Sequence, residues 1–140
     1  MRRFFLVDDD TIFNFLHTEV IKTVDSTAQI DLFNSSTEGL EFLQDALEGK
    51  REMPHFLFLD IRMPEMDGFE YLDELMKYPT EKFKDLRIYV LSSSLAERDK
   101  EKSLSYPIVT GFIEKTLTIE KLKGILETYP LYSINTENNN

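Results

Sequence analysis

Short apolar runs alternate along the chain with longer stretches in which apolar residues return at helical spacing. Phe4–Val7 is such a run, stopped by Asp8-Asp9-Asp10, and it predicts a first strand. From Thr11 to Val24, Phe13, Leu16, Val20 and Val24 form a helical stripe expected to face inward. Gln29–Phe33 alternates polar and apolar residues, a second strand closed by Asn34-Ser35-Ser36. Ser35 with Glu38 fits a capping box, and Leu40, Leu43, Ala46 and Leu47 continue that helix to Gly49-Lys50. The unbroken run Phe56-Leu57-Phe58-Leu59 then ends in Asp60, with Pro64 and Asp67-Gly68 close behind. A short all-apolar run bounded by turn residues predicts a strand buried on both faces. Gly68 to Tyr78 is expected to be helical, with Phe69, Leu72, Leu75 and Met76 inward and Pro79 as the stop. Leu86–Leu91 predicts a fourth strand, closed by Ser92-Ser93-Ser94. Ser94 and Glu97 suggest a second capping box, opening a charged helix that runs to about Leu104. Pro107–Ile113 holds a fifth strand ending near Glu114-Lys115. Thr118 caps a last helix with Ile119, Leu122, Ile125, Leu126 and Tyr129 on one face.

Strand and helix thus alternate about five times, which argues an α/β fold: a parallel sheet with helices on both faces, joined by right-handed crossovers. At 140 residues a single domain is the natural count. We place it at residues 1–130 and expect the polar stretch 131–140 to be a disordered tail. Composition narrows the function. A net charge of −10 disfavours direct binding to nucleic acid, whose phosphates would be repelled. The absence of cysteine removes disulfides and thiolate metal sites. No apolar run reaches membrane-spanning length, and the acidic triplet after Val7 does not suit a secretory signal, so a cytoplasmic protein without membrane insertion is expected. No Gly-x-Gly-x-x-Gly follows the first strand, so dinucleotide binding has no support.

The informative polar residues all stand where predicted strands end. Asp8 and Asp9 end the first, Asp60 the third, Ser92 the fourth and Lys115 the fifth. In open α/β sheets the carboxyl ends of the strands are where ligands bind. Each residue has an ordinary reading: acids cap helices, as Asp10 is expected to do, serines make loops, and lysines are usually solvated. Their joint placement on four strand ends is harder to explain that way. Three converging carboxylates call for a cation, and hard oxygen donors without Cys or His suit Mg²⁺. A lysine and a hydroxyl beside them would stabilise a phosphoryl group, for which an aspartate can act as acceptor. Asp60 would be that nucleophile.

From Arg3 to about Tyr129 the chain resembles the receiver domain of two-component response regulators, of the single-domain, chemotaxis type. The motifs that carry the resemblance are Leu6-Val7-Asp8-Asp9-Asp10, the run from Leu59-Asp60 to Asp67-Gly68, Val90-Leu91-Ser92-Ser93-Ser94 and Gly111-Phe112-Ile113-Glu114-Lys115. The resemblance implies a flavodoxin-like (βα)5 three-layer sandwich with strand order 2-1-3-4-5. It implies that Asp60 accepts a phosphoryl group from a histidine kinase or phosphotransfer protein, with Mg²⁺ held by Asp8, Asp9, Asp60 and the main-chain carbonyl of Arg62. Ser92 would be the switch hydroxyl, Lys115 the phosphoryl-binding lysine and Phe112 the switch aromatic. Signalling would pass to a downstream protein through the fourth helix, fifth strand and fifth helix. Such a protein catalyses only its own phosphorylation and dephosphorylation. Two departures stand out: Thr116 follows the lysine where the family usually has proline, and serine replaces the commoner threonine at Ser92. A haloacid-dehalogenase-type phosphatase is the enzymatic rival, but it needs an aspartate two residues after the nucleophile, where this chain has Arg62. Asp10 does stand two after Asp8, but the threonine that should follow falls one position early, at Thr11. An unphosphorylated interaction module of the same fold is the other rival, and the intact acidic cluster argues against it.

Overall fold

The computed structural model describes residues 1–93 and 96–129. Five strands, β1 (Arg3–Val7), β2 (Gln29–Phe33), β3 (Phe56–Asp60), β4 (Arg87–Ser92) and β5 (Val109–Glu114), form one parallel sheet in the order β2-β1-β3-β4-β5. Between and after them run α1 (Thr11–Val24), α2 (Ser36–Leu47), α3 (Gly68–Leu75), α4 (Glu97–Ser105) and α5 (Ile119–Thr128). This is the flavodoxin-like order expected above. Every residue of β3 is buried, as an apolar run at the centre of a doubly covered sheet requires.

Successive side chains of a strand leave the sheet on opposite faces, so each strand feeds two cores. Phe5, Val7, Leu57, Leu59 and Val90 pack with Leu40 and Leu43 of α2 and Leu72 and Leu75 of α3. Phe4, Leu6, Phe56, Phe58 and Leu91 pack on the other side with Ile21 of α1 and Leu122, Ile125 and Leu126 of α5. Phe4 stacks on Phe56 with ring centroids 5.1 Å apart. Burying a phenylalanine contributes roughly 1.5–3 kcal/mol, so this aromatic row is a main source of sheet stability.

Several element ends were foreseen and several were not. Asp10 caps α1 through the N–H groups of Ile12 and Phe13, Ser35 caps α2 through Glu38 N–H, and Thr118 caps α5 through Lys121 N–H. The reciprocal capping box falls instead at α3, between Asp67 and Glu70. α3 stops at Leu75, short of the expected Tyr78, and a 3₁₀ turn over Thr80–Phe83 buries Phe83 before β4. The proposed Ser94 cap and the tail 131–140 lie outside the described residues, and α4 starts from Ala96 without a side-chain cap. Ile119, expected on the inward face of α5, is 40% exposed, whereas Leu122, Ile125 and Leu126 of that face are buried. The peptide bond between Lys115 and Thr116 is cis.

The largest correction concerns α1. Its buried residues are Asn14, His17 and Ile21, while the expected stripe is displaced: Leu16 is 41% exposed, and Phe13, Val20 and Val24 are half-buried. At 100° per residue this rotates the inward face by roughly a quarter turn from the most apolar one. The physical reason is that both polar residues find partners inside. Asn14 Nδ2 donates to the Asp8 carbonyl at 2.8 Å, and His17 accepts from a main-chain N–H of the β5–α5 loop.

Candidate functional site at the carboxyl rim of the sheet

Register builds the site. Val7 lies opposite Leu59, so Asp8 leaves β1 beside Asp60 at the end of β3. Asp60 pairs with Leu91 and Ser92 with Glu114, which brings the ends of β4 and β5 level with them. The Lys115 N–H donates to the Ser92 carbonyl at 2.9 Å, fixing the start of the β5–α5 loop against β4. The sequence-predicted residues Asp8, Asp9, Asp60, Ser92 and Lys115 therefore converge on one rim.

Asp8, Asp60 and Ser92 are buried, and Asp9 is exposed. One carboxylate oxygen from each of Asp8, Asp9 and Asp60 lies within 4.8 Å of the others. Lys115 Nζ stands 2.7 Å from Asp8 Oδ2 and 3.3 Å from Asp60 Oδ1, with all three side chains almost fully enclosed. Asp8 is further oriented by the Asp10 N–H, which donates to its Oδ1 at 2.9 Å. Its Oδ2 is buried and accepts no hydrogen bond, so the lysine charge is its compensation. Burial, and then the neighbouring charge of Asp8, push the Asp60 pKa up to about 6, although Lys115 acts in the opposite direction.

The loop after Asp60 is held by close main-chain packing. A Cβ on Gly68 would lie 2.6 Å from the Asp60 carbonyl oxygen and 2.8 Å from Ile61 Cα, distances that only glycine accommodates. Gly68 N–H donates to the Ile61 carbonyl at 2.8 Å. Arg62 turns its side chain away from the carboxylates to meet Asp99 of α4 at 2.6 Å. Phe112 sits mid-strand on β5 opposite Val90, half-buried against the core that α2 and α3 cover.

Sequence reasoning missed four supporting residues: Phe13, Asn14, His17 and Asp99. The signal for Asn14 and His17 was present as a polar pair at i, i+3 in the first two turns of the helix that follows the acidic triplet, but periodicity ranks polar positions outward. Asp99 had no signal, because its role depends on where α4 lies relative to the loop after β3.

Known proteins agree with this geometry. Residues 4–127 match the response regulator receiver domain family. The protein named "Probable methanogenesis regulatory protein FilR2" of Methanothrix harundinacea is 26% identical over 127 residues, covering 91% of this chain and 80% of that protein. A two-component response regulator from Cytophaga hutchinsonii superposes with a TM-score of 0.81 at 27% identity, over 91% of this chain and 96% of the other. The phosphorylated cyanobacterial phytochrome response regulator RcpA does so at 0.75 and 26% identity, over 94% and 95% of the two chains. Sheet order, carboxylate rim and family match lead to one conclusion: the chain belongs to the response regulator receiver domain family.

Proposed function

We propose that this receiver accepts a phosphoryl group on Asp60 from the phosphohistidine of a histidine kinase or phosphotransfer protein, and signals by protein–protein contact. The observation that carries the reading is a buried carboxylate, Asp60, held 3.3 Å from a fixed ammonium and beside two further carboxylates. An Asp60 oxygen forms the new P–O bond as the P–N bond breaks, and the imidazole leaves with the bonding pair. A carboxylate whose pKa is raised to about 6 is still mainly ionised at neutral pH and is more basic than an ordinary one, which suits a nucleophile. Lys115 meets the charge on the transferred group, and Ser92 supplies a hydroxyl at the neighbouring strand end.

The donor set fits Mg²⁺: three clustered carboxylates, no imidazole or thiolate among them, and a buried Asp8 oxygen without a hydrogen bond. Asp8, Asp9, Asp60 and the Arg62 main-chain carbonyl would hold the ion. When bound, it supplies positive charge to the phosphoryl oxygens. On phosphorylation, Ser92 moves toward the new group and Phe112 deepens its burial, altering the surface of α4, β5 and α5 that a downstream protein reads. The acidity of the whole chain supports a protein target over nucleic acid. The phosphatase reading lacks its acid–base group, because arginine, at Arg62, stands two residues after Asp60 where an aspartate is needed.

Incubation with acetyl phosphate and Mg²⁺ should add one phosphoryl group that is labile to hydroxylamine. Asp60→Asn should take up none. Label that persists on the variant, or that resists hydroxylamine, overturns the reading.

A further inference from the structure

His17 is 1% exposed, and the phosphoryl chemistry above does not use it. The expected occupant of such a core position is aliphatic. Its Nε2 accepts the Leu117 N–H at 3.2 Å, a bond between residues 100 apart in sequence. Burial, working with the Lys115 charge and against that of Asp8, lowers the imidazole pKa to about 4, so the ring is a neutral acceptor. One turn earlier, the Phe13 ring packs at 5.7 Å from the imidazole. The Lys115 ammonium lies over that Phe13 ring, 4.2 Å from its centroid. α1 therefore grips the β5–α5 loop twice, at the Lys115 ammonium and at the main chain two residues further on. Leu117 is fully buried, so an aliphatic residue at 17 would leave its N–H without an acceptor.

We propose that His17 is a positioning residue for Lys115, clamping the loop beyond the lysine to α1 so that the ammonium stays aimed at Asp60. The inference rests on the reading of Asp60 as phosphoacceptor. The alternative is that His17 only helps α1 and α5 pack, and the two differ in how His17 and Lys115 depend on each other.

The test measures phosphorylation rates of the full chain with phosphoramidate and Mg²⁺. His17→Leu should slow the reaction roughly tenfold, as small misplacements of catalytic groups do. His17→Gln, whose amide oxygen reaches the same place, should restore it. In a Lys115→Ala background, His17→Leu should have almost no further effect. Equal rates for wild type and His17→Leu, or the same fractional slowing in both backgrounds, overturn the inference. Should His17→Leu not fold, His17→Asn replaces it: too short to reach Leu117, it should be slow where His17→Gln is not, and equal rates overturn the inference. In the unmodified protein, a ¹⁵N–¹⁵N coupling across the Leu117–His17 hydrogen bond is expected, and its absence is equally decisive. If wild type takes up no phosphoryl group, the Asp60 reading itself falls. Normal uptake with an indifferent His17 removes only the clamp.

Discussion

Two buried titratable residues at the rim depend on pH in opposite senses. Asp60 has its pKa raised from 3.8 to about 6, so its burial costs stability only where the unfolded chain would be ionised. The cost is absent below about pH 3.8, grows as pH rises, and is complete above about 6. Asp60→Asn should therefore stabilise the metal-free protein at pH 7, by roughly 1–3 kcal/mol once screening is allowed for, and make no difference near pH 3.5. Urea unfolding of both proteins across that range checks this, and a constant difference would refute it. His17 has its pKa lowered from 6.5 to about 4, so its contribution is full above about 6.5 and is lost as pH falls toward 4. His17→Gln should flatten that loss in the same titration. The two slopes oppose each other over much of the same range, so wild type should change less with pH there than either variant. The aspartates, Ser92 and Lys115 were legible in the sequence because motif order marks strand ends. His17 was not, since a buried polar residue is recognised by its partner, and the partner lies 100 residues away.

At the scale of elements, the positions of α3 and α4 each hinge on one contact near Asp60. Gly68 lets the first turn of α3 rest on the main chain of Asp60 and Ile61. Gly68→Ala, which in an open helix would be mildly favourable, should here cost roughly 1–3 kcal/mol, because backbone must move. Thermal unfolding reads this directly, and an unchanged melting temperature would show that the contact yields freely. Arg62 and Asp99 tie the loop after β3 to the first turn of α4. Arg62 is largely exposed, so the pair should contribute about 1 kcal/mol or less to global stability. Asp99→Ala should nonetheless speed amide exchange in α4 while leaving β3 and β4 unchanged, and uniform acceleration across the sheet would contradict a local tie. β1, β3 and β4 were read to within about a residue, because a short apolar run closed by acids or serines is too short for a buried helix and too apolar for a loop, whereas β5, with Thr110 and Gly111 inside it, was begun two residues early, at Pro107. The orientation of α1 was misread because the apolar stripe of Phe13, Leu16, Val20 and Val24 is not the face that packs deepest: Leu16 is 41% exposed, while Asn14 and His17 are buried. Hydrophobicity selects the inward face only where no polar side chain has a better bond inside.

For the molecule as a whole, the net charge of −10 sets a background against which the acidic rim must close. Screening that repulsion should raise metal-free stability as salt is increased from low to moderate concentration. Asp9→Ala should show a smaller rise, because one of the crowded carboxylates is gone; denaturant midpoints at several salt concentrations would settle it, and an equal rise in both would discount repulsion at the rim. The sheet order also places the balancing charge at a particular point in the chain. Asp8, Asp9 and Asp60 all precede β4, while Lys115 follows β5, which pairs with β4 at the sheet edge. As the chain leaves the ribosome, three carboxylates are therefore made well before the one ammonium that stands against two of them. During that interval the growing protein should have its greatest need of an external cation, and the arrival of Lys115 behind β5 would be the step that first eases the repulsion among the rim carboxylates.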